Sequence, residues 1–165
     1  MLLKSLSLLA LLAGPLFVQA DSSCTDHAKP GVDWRRCYHD GRDFKGEDLR
    51  GAHLRDATFQ RANLHGVNLS EADGFRAKFF GADLREAKLD EGKFSEADFS
   101  KADLSKASLK NADFRRGKLF RANLRGADLT GAKLSGADLL HAELSGATWT
   151  DGKRICAEGS ISQCN

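Results

Sequence analysis

The residues able to carry chemistry are four cysteines, five histidines and rows of aspartate, asparagine and serine. Cys24, Cys37, Cys156 and Cys164 show no CxxC pair and no histidine at ligand spacing, so a metal cluster is not expected of them. An even cysteine count behind an export leader reads as disulfides, and four cysteines allow three pairings. His27, His39, His53, His65 and His141 are scattered. Once the chain is wound four repeats to a coil, as argued below, His53, His65 and His141 fall on different faces or distant coils. Solvated surface side chains are therefore expected, with no shared metal and no catalytic histidine. Ser95, Ser100 and Ser105 have no histidine and carboxylate placed to activate them. Asp83, Asp103 and Asn123 invite a calcium reading, but calcium needs six to eight oxygens converging on one point, and a straight column points its side chains in parallel. Arg85 and Arg125 lie two residues beyond Asp83 and Asn123, as Lys45 lies beyond Asp43, so local ion pairs and turn hydrogen bonds are the stronger expectation. Nothing in the chain calls for a cofactor or marks an enzyme.

The elements that position these residues come in two parts. Met1 to Ala20 reads as a leader: one charge at Lys4, an apolar run from Leu6 to Val18, then Val18-Gln19-Ala20 with small residues where signal peptidase needs them. The run is shorter than the roughly 20 residues that span a bilayer, and Gly14-Pro15 interrupts it, so a cleaved signal over 1–20 is expected rather than a membrane anchor. Beyond it, 24 basic side chains face 23 acidic ones, a balance that gives no electrostatic footprint for nucleic acid.

The rest of the chain is periodic. Positions numbered in 4 or 9 from Phe44 to Trp149 are Leu, Phe or Trp in 22 successive repeats, broken only by Gly74. Positions numbered in 2 or 7 from Ala52 to Ala147 are Ala except Val67, Gly92 and Gly117. Glycines recur at numbers ending in 1 or 6, as in Gly46, Gly51 and Gly81. Five residues turn an α-helix by about 500°, which smears the apolar positions around its axis. On a continuous strand an odd period alternates faces. Ala-x-Leu does place two side chains on one side of an extended stretch. The chain must then bend within the next three residues, where Gly, Asp and Asn tolerate unusual backbone angles. A chain bending the same way every five residues coils around a core of Leu, Phe and Ala.

The charges indicate four repeats per coil. Residues twenty apart are then stacked about 4.8 Å apart, and the columns Asp73-Lys93-Asp113-Lys133, Lys78-Asp98-Lys118-Asp138 and Asp56-Arg76-Glu96-Arg116 alternate in sign. Phe59, Phe79 and Phe99 share one core column, and Phe94 stacks with Phe114. Each buried Leu or Phe contributes about 1.5–3 kcal/mol gross, against roughly 0.2–1 kcal/mol for a cross-coil ion pair. Burial makes the solenoid; the charge ladders set its register.

Ala62-Asn63-Leu64, Ala82-Asp83-Leu84, Ala102-Asp103-Leu104 and Ala127-Asp128-Leu129 resemble the A(D/N)Lxx pattern of the pentapeptide repeat family over residues 41–151. The resemblance implies an all-β fold, a right-handed quadrilateral β-helix, here of about 5.5 coils. The segments Cys24 to Cys37 and Trp149 to Cys164 resemble the Cys-flanked ends of exported bacterial members. Some members of the family mimic duplex DNA and act on DNA gyrase. Export would remove this chain from the cytoplasm, and 19 basic against 18 acidic side chains over residues 41–151 is no acidic mimic.

At 5.5 coils the two ends lie about 25 Å apart, whereas disulfide Cα atoms lie within about 7 Å. Pairing is therefore expected within each end, Cys24–Cys37 in an N-terminal cap over 21–40 and Cys156–Cys164 in a C-terminal cap over 152–165, with Trp34 and Trp149 covering the first and last coils. Capped ends imply a monomer. Gly74 is expected to mark a defect that Phe75 fills by swinging inward through a bulge. On one face Phe80, Phe120 and Leu140 point outward beside Arg61, Lys101 and Arg121, an apolar and basic stripe suited to a partner. The functional expectation is a non-catalytic scaffold, periplasmic or secreted, for an unknown protein or envelope component. A cytoplasmic gyrase-binding protein and an envelope-acting enzyme are the rival classes, and no motif supports the second.

Overall fold

The computed structural model describes residues 24–165; the leader expected over 1–20 lies outside them. Parallel bridges join residues twenty apart without interruption from Asp33↔His53 to Asp128↔Thr148, which makes twenty residues one coil. Four faces result, here numbered by the residues at their bridges: face 1 through Asp73 and Lys133, face 2 through Lys78 and Asp138, face 3 through Asp83 and Glu143, face 4 through Lys88 and Thr148. The coil is a right-handed quadrilateral β-helix. Its winding already includes Val32, Trp34, Cys37 and His39, within the segment expected as the N-terminal cap; all four are buried.

Each repeat contributes one short extended stretch and one turn. The Ala N–H closes the turn onto the preceding central carbonyl, as in Ala52 N to Leu49 O at 3.1 Å. The third residue of that turn is left-handed, as at Gly46 (φ 71°) and Gly81 (φ 63°), and this is where glycine costs least. Arg61, Glu91 and Lys101 take the same angle, with φ of 56°, 58° and 58°.

The core follows the twenty-residue register. Phe59, Phe79 and Phe99 stack face to face at 5.3 and 4.7 Å, and Phe94 on Phe114 at 5.7 Å. The neighbouring columns meet edge to face, Phe94 against Phe99 at 83°. Both geometries suit the aromatic quadrupole.

Disulfides join Cys24 to Cys37 and Cys156 to Cys164, with Cα separations of 5.3 and 4.8 Å. Trp34 is buried beneath the first clamp, and Trp149 is half-buried at the other end. Beyond Asp151 the chain reverses: Ile155 pairs antiparallel with Thr148 on face 4, and Ile161 with Glu143 on face 3. Arg125 ties this flap down through Glu158 at 2.9 Å.

Gly74 departs from expectation. The repeat around it is regular, with Gly74 N bonded to Lys93 O at 2.9 Å. Phe75 stays on the outside, half-buried between the guanidinium groups of Arg55 and Arg76, which lie 5.5 and 5.1 Å from its ring centre. The space is taken from the next coil instead. A Cβ on Gly74 would lie 2.6 Å from the Phe94 ring, and one on Gly92 would lie 2.2 Å from it. Phe94 thus occupies a slot opened by two glycines, and no bulge is needed. Gly74→Leu, which restores the repeat's consensus, should destabilise the protein by about 1–3 kcal/mol through overpacking. Gly74→Leu with Phe94→Leu should recover most of that loss, as read by denaturant unfolding.

Candidate functional site

Two side-chain columns border each corner of the coil: the residue after each core centre, and the left-handed residue that follows it. After face 1, the left-handed column alternates in sign. Arg76 pairs with Asp56 at 2.9 Å, and Arg116 with Glu96 at 3.8 Å. Some face charges pair within their own repeat. Asp83 accepts from Arg85 at 2.6 Å and Asp113 from Arg115 at 2.6 Å, and these hydrogen bonds hold both carboxyls below their usual range. Among the described residues, no stacked pair closes within 4.0 Å in the columns from Asp73 to Lys133 and from Lys78 to Asp138; Asp73 takes Arg55, at 2.6 Å.

The oxygens in the column considered for calcium are engaged by the protein. The backbone N–H groups of Arg85, Ser105 and Arg125 donate to Asp83, Asp103 and Asn123 at 3.0–3.2 Å, and Asn123 Nδ2 donates to Asp103 at 3.0 Å.

The corner after face 2 is different. Its left-handed column runs Arg61, Gly81, Lys101, Arg121, His141, with no carboxylate. Beside it run Asp40, Gln60, Phe80, Ser100, Phe120 and Leu140; the one carboxylate, Asp40 at the foot of the column, accepts from Thr58 Oγ1 and from the Gln60 N–H at 2.8 Å. Among the described residues, Arg61, Lys101 and Arg121 form no ion pair within 4.0 Å; their side chains are exposed. The aromatic rings lean on the cations: Lys101 Nζ lies 5.3 Å from the Phe80 centroid, Arg121 Cζ 5.0 Å from that of Phe120, and His141 meets Phe120 edge-on at 5.9 Å. Phe80 and Phe120 are half-buried, and Leu140 is 53% exposed. The structure therefore brings all six expected stripe residues onto one corner, with Ser100 buried between the two rings.

The histidines divide differently from expectation. His27, His53 and His141 are exposed, and His65 is half-buried. His39 is fully buried. It occupies the central position of the repeat one step before Phe44, where the apolar series of the sequence begins. Trp34, Phe44 and Phe59 surround its ring at centroid distances of 4.2, 5.5 and 5.2 Å. Arg42 Nη1 lies 3.1 Å from its Nδ1, and Nε2 has no hydrogen-bond partner. Burial, then the positive charge of Arg42, pushes its pKa down to about 4, against a smaller opposing pull from Asp40.

The architecture defines a solenoid of stacked five-residue turns with a disulfide clamp at either end. A family model of pentapeptide repeats matches in eight copies over residues 43–73, 77–116 and 118–148, and the chain belongs to that family. Among solved structures it is similar to HetL, a pentapeptide repeat protein involved in heterocyst differentiation regulation from the cyanobacterium Nostoc sp. strain PCC 7120. The identity is 33%, the TM-score 0.55, and the match covers 73% of this chain and 67% of that one. It is also similar to a pentapeptide repeat protein of the Arabidopsis thaliana thylakoid lumen, at 28% identity over 80% and 85% of the two chains with a TM-score of 0.35. QnrB1, a plasmid-mediated fluoroquinolone resistance protein, is 17% identical over 77% and 75% with a TM-score of 0.48. No curated protein matches significantly. The disulfides fit an oxidising compartment, and among the described residues no helix is long and apolar enough to cross a membrane.

His39 carries a pH dependence with a definite sign. Its folded pKa, about 4, lies below the ordinary 6.5, so the folded state binds fewer protons between those values. Stability should be undiminished by this group above pH 6.5 and fall as pH drops toward 4, by up to roughly 3 kcal/mol. His39→Phe should flatten that limb of the stability profile relative to the parent, as measured by thermal or urea unfolding across the window.

Proposed function

We propose that this protein is a non-catalytic, exported scaffold that binds an anionic partner, a protein or envelope component, along the corner built from Arg61, Phe80, Lys101, Phe120, Arg121 and Leu140. The observation that carries the reading is the unpaired cation column beside outward aromatics. Most arginines elsewhere on the coil pair with a stacked or local carboxylate, as Arg55, Arg76, Arg85 and Arg115 do. Here none does, so the charge is left for something outside the chain. Cations leaning on aromatic rings suit carboxylates or phosphates presented next to apolar groups. The leader-like Met1 to Ala20 and the two clamps support a periplasmic or secreted site of action. The capture surface needs no motion, cofactor or enzyme chemistry.

Native-host fractionation with mass spectrometry should find the mature chain beginning at Asp21 outside the cytoplasm; a full-length cytoplasmic product would remove the exported reading. Affinity capture from a periplasmic extract should enrich an acidic partner. A variant carrying Phe80→Ser, Lys101→Glu, Phe120→Ser and Arg121→Glu should fold, because none of these side chains belongs to the core, and should lose that partner at least tenfold. Unchanged capture would place the binding surface elsewhere. The balanced charge of the repeats gives a further expectation: purified mature protein should leave gyrase supercoiling unaffected at submicromolar concentration.

A further inference from the structure

The C-terminal flap closes the last coil on two faces and leaves two open. On face 3, Leu144 N donates to Ser160 O and Ser162 N to Ala142 O. On face 4, Trp149 N donates to Arg154 O, Cys156 N to Ala147 O, and Gly146 N at the corner donates to Cys156 O. Five coil groups are satisfied there: the N–H of residues 144, 146 and 149 and the carbonyls of 142 and 147. Ten residues earlier stand their equivalents on faces 1 and 2. The N–H groups of Leu134, Gly136 and Leu139 and the carbonyls of Ala132 and Ala137 have no hydrogen-bond partner among the described residues. Unlike the core centres of the first full coil, which are buried, Leu134, Ala137 and Leu139 are only half-buried, and Leu140 beside them is exposed.

We infer that this open edge is a docking site for an extended peptide segment of a partner, which adds as an antiparallel strand over face 2 and then face 1. The occupant's geometry is set by the flap it would continue. Ile155 sits opposite Thr148 and Ile161 opposite Glu143, both antiparallel. The same path shifted onto the open faces puts one strand centre opposite Asp138 and the next, six residues on, opposite Lys133. Charge complementarity then selects a segment with a basic residue at the first centre and an acidic residue at the second. Backbone pairing supplies the affinity and the two charges the specificity, as in strand addition to a sheet edge. The clamp between Cys156 and Cys164 folds the flap back on itself, with Ala157 N donating to Asn165 O at 3.0 Å, over faces 4 and 3.

The test uses the full mature chain and a synthetic peptide copying residues 153–163 with Cys156→Ser, Ile155→Arg and Ile161→Glu. Saturable binding should slow amide hydrogen exchange at Leu134, Gly136 and Leu139 while leaving that at Leu144 unchanged. A charge-reversed peptide, with Ile155→Glu and Ile161→Arg, should bind about tenfold more weakly. The protein variant Lys133→Glu with Asp138→Arg should invert that preference without altering the fold. N-methylation of the peptide backbone at its residues 156 and 162 should abolish binding. The stripe variant described above should bind the peptide normally, which separates this site from the proposed corner surface. Absence of slowed exchange at those three amides, or equal binding of the N-methylated peptide, would overturn the inference. So would slowed exchange there from self-association without peptide, since the occupant would then be a second copy.

Discussion

A single backbone constraint underlies the molecule: every fifth residue must turn left-handed. The turn closes when the Ala N–H reaches the preceding central carbonyl, and throughout this coil it does so with the third turn residue at positive φ. Glycine meets the requirement freely, whereas an L side chain there costs about 1–2 kcal/mol. The chain nevertheless carries Arg61, Glu71, Glu91, Lys101 and Arg121 at that angle. Their strain is offset by the Leu, Phe and Ala side chains that the same turns direct inward, nearly all of which are buried. Those strained positions also lie at the corners, where a long side chain reaches furthest from the coil. The proposed binding surface is thus made of residues that the fold tolerates rather than requires.

Register and surface charge follow from that winding. Because bridges fall twenty residues apart, each side chain has a fixed neighbour above and below. Some corner and face charges use this neighbour, or the residue two along, to cancel. Arg76 with Asp56 shows the first solution and Arg85 with Asp83 the second. Exposed pairs of this kind add little stability. The column of Arg61, Lys101 and Arg121 has no such partner, on a protein whose net charge is close to zero.

Much of the fold was legible in the amino acids because its period is short and its core positions are chemically uniform. The twenty-residue spacing of Phe59, Phe79 and Phe99 predicts their stacking, and the sign alternation from Asp73 to Lys133 marks the coil length. Three features were not legible, each for a physical reason. His39 stands at a core centre but is polar, so it did not extend the apolar series toward the N-terminus; its place was signalled by Val32, Trp34 and Cys37 sharing its register. Phe94 fills the gap at Gly74 from the coil above, a contact between residues twenty apart that no local reading around Phe75 could find. The flap after Asp151 abandons the five-residue period, so the number of faces it covers cannot be counted from repeats. The corner stripe lay between these cases. Its column positions followed from the period, but whether Arg61, Lys101 and Arg121 were cancelled depended on side-chain directions that only the fold supplies.

The twenty-residue coil also makes the surface a matter of phase. Each pentapeptide advances the chain by a quarter turn, so one inserted or deleted repeat would rotate everything downstream onto the adjoining face. Between Phe80 and Phe120 such a change would split the stripe across two sides of the solenoid while leaving every core position apolar and every turn intact. An insertion of twenty residues would restore alignment and lengthen the stripe by one rung. Repeat number therefore counts modulo four for recognition.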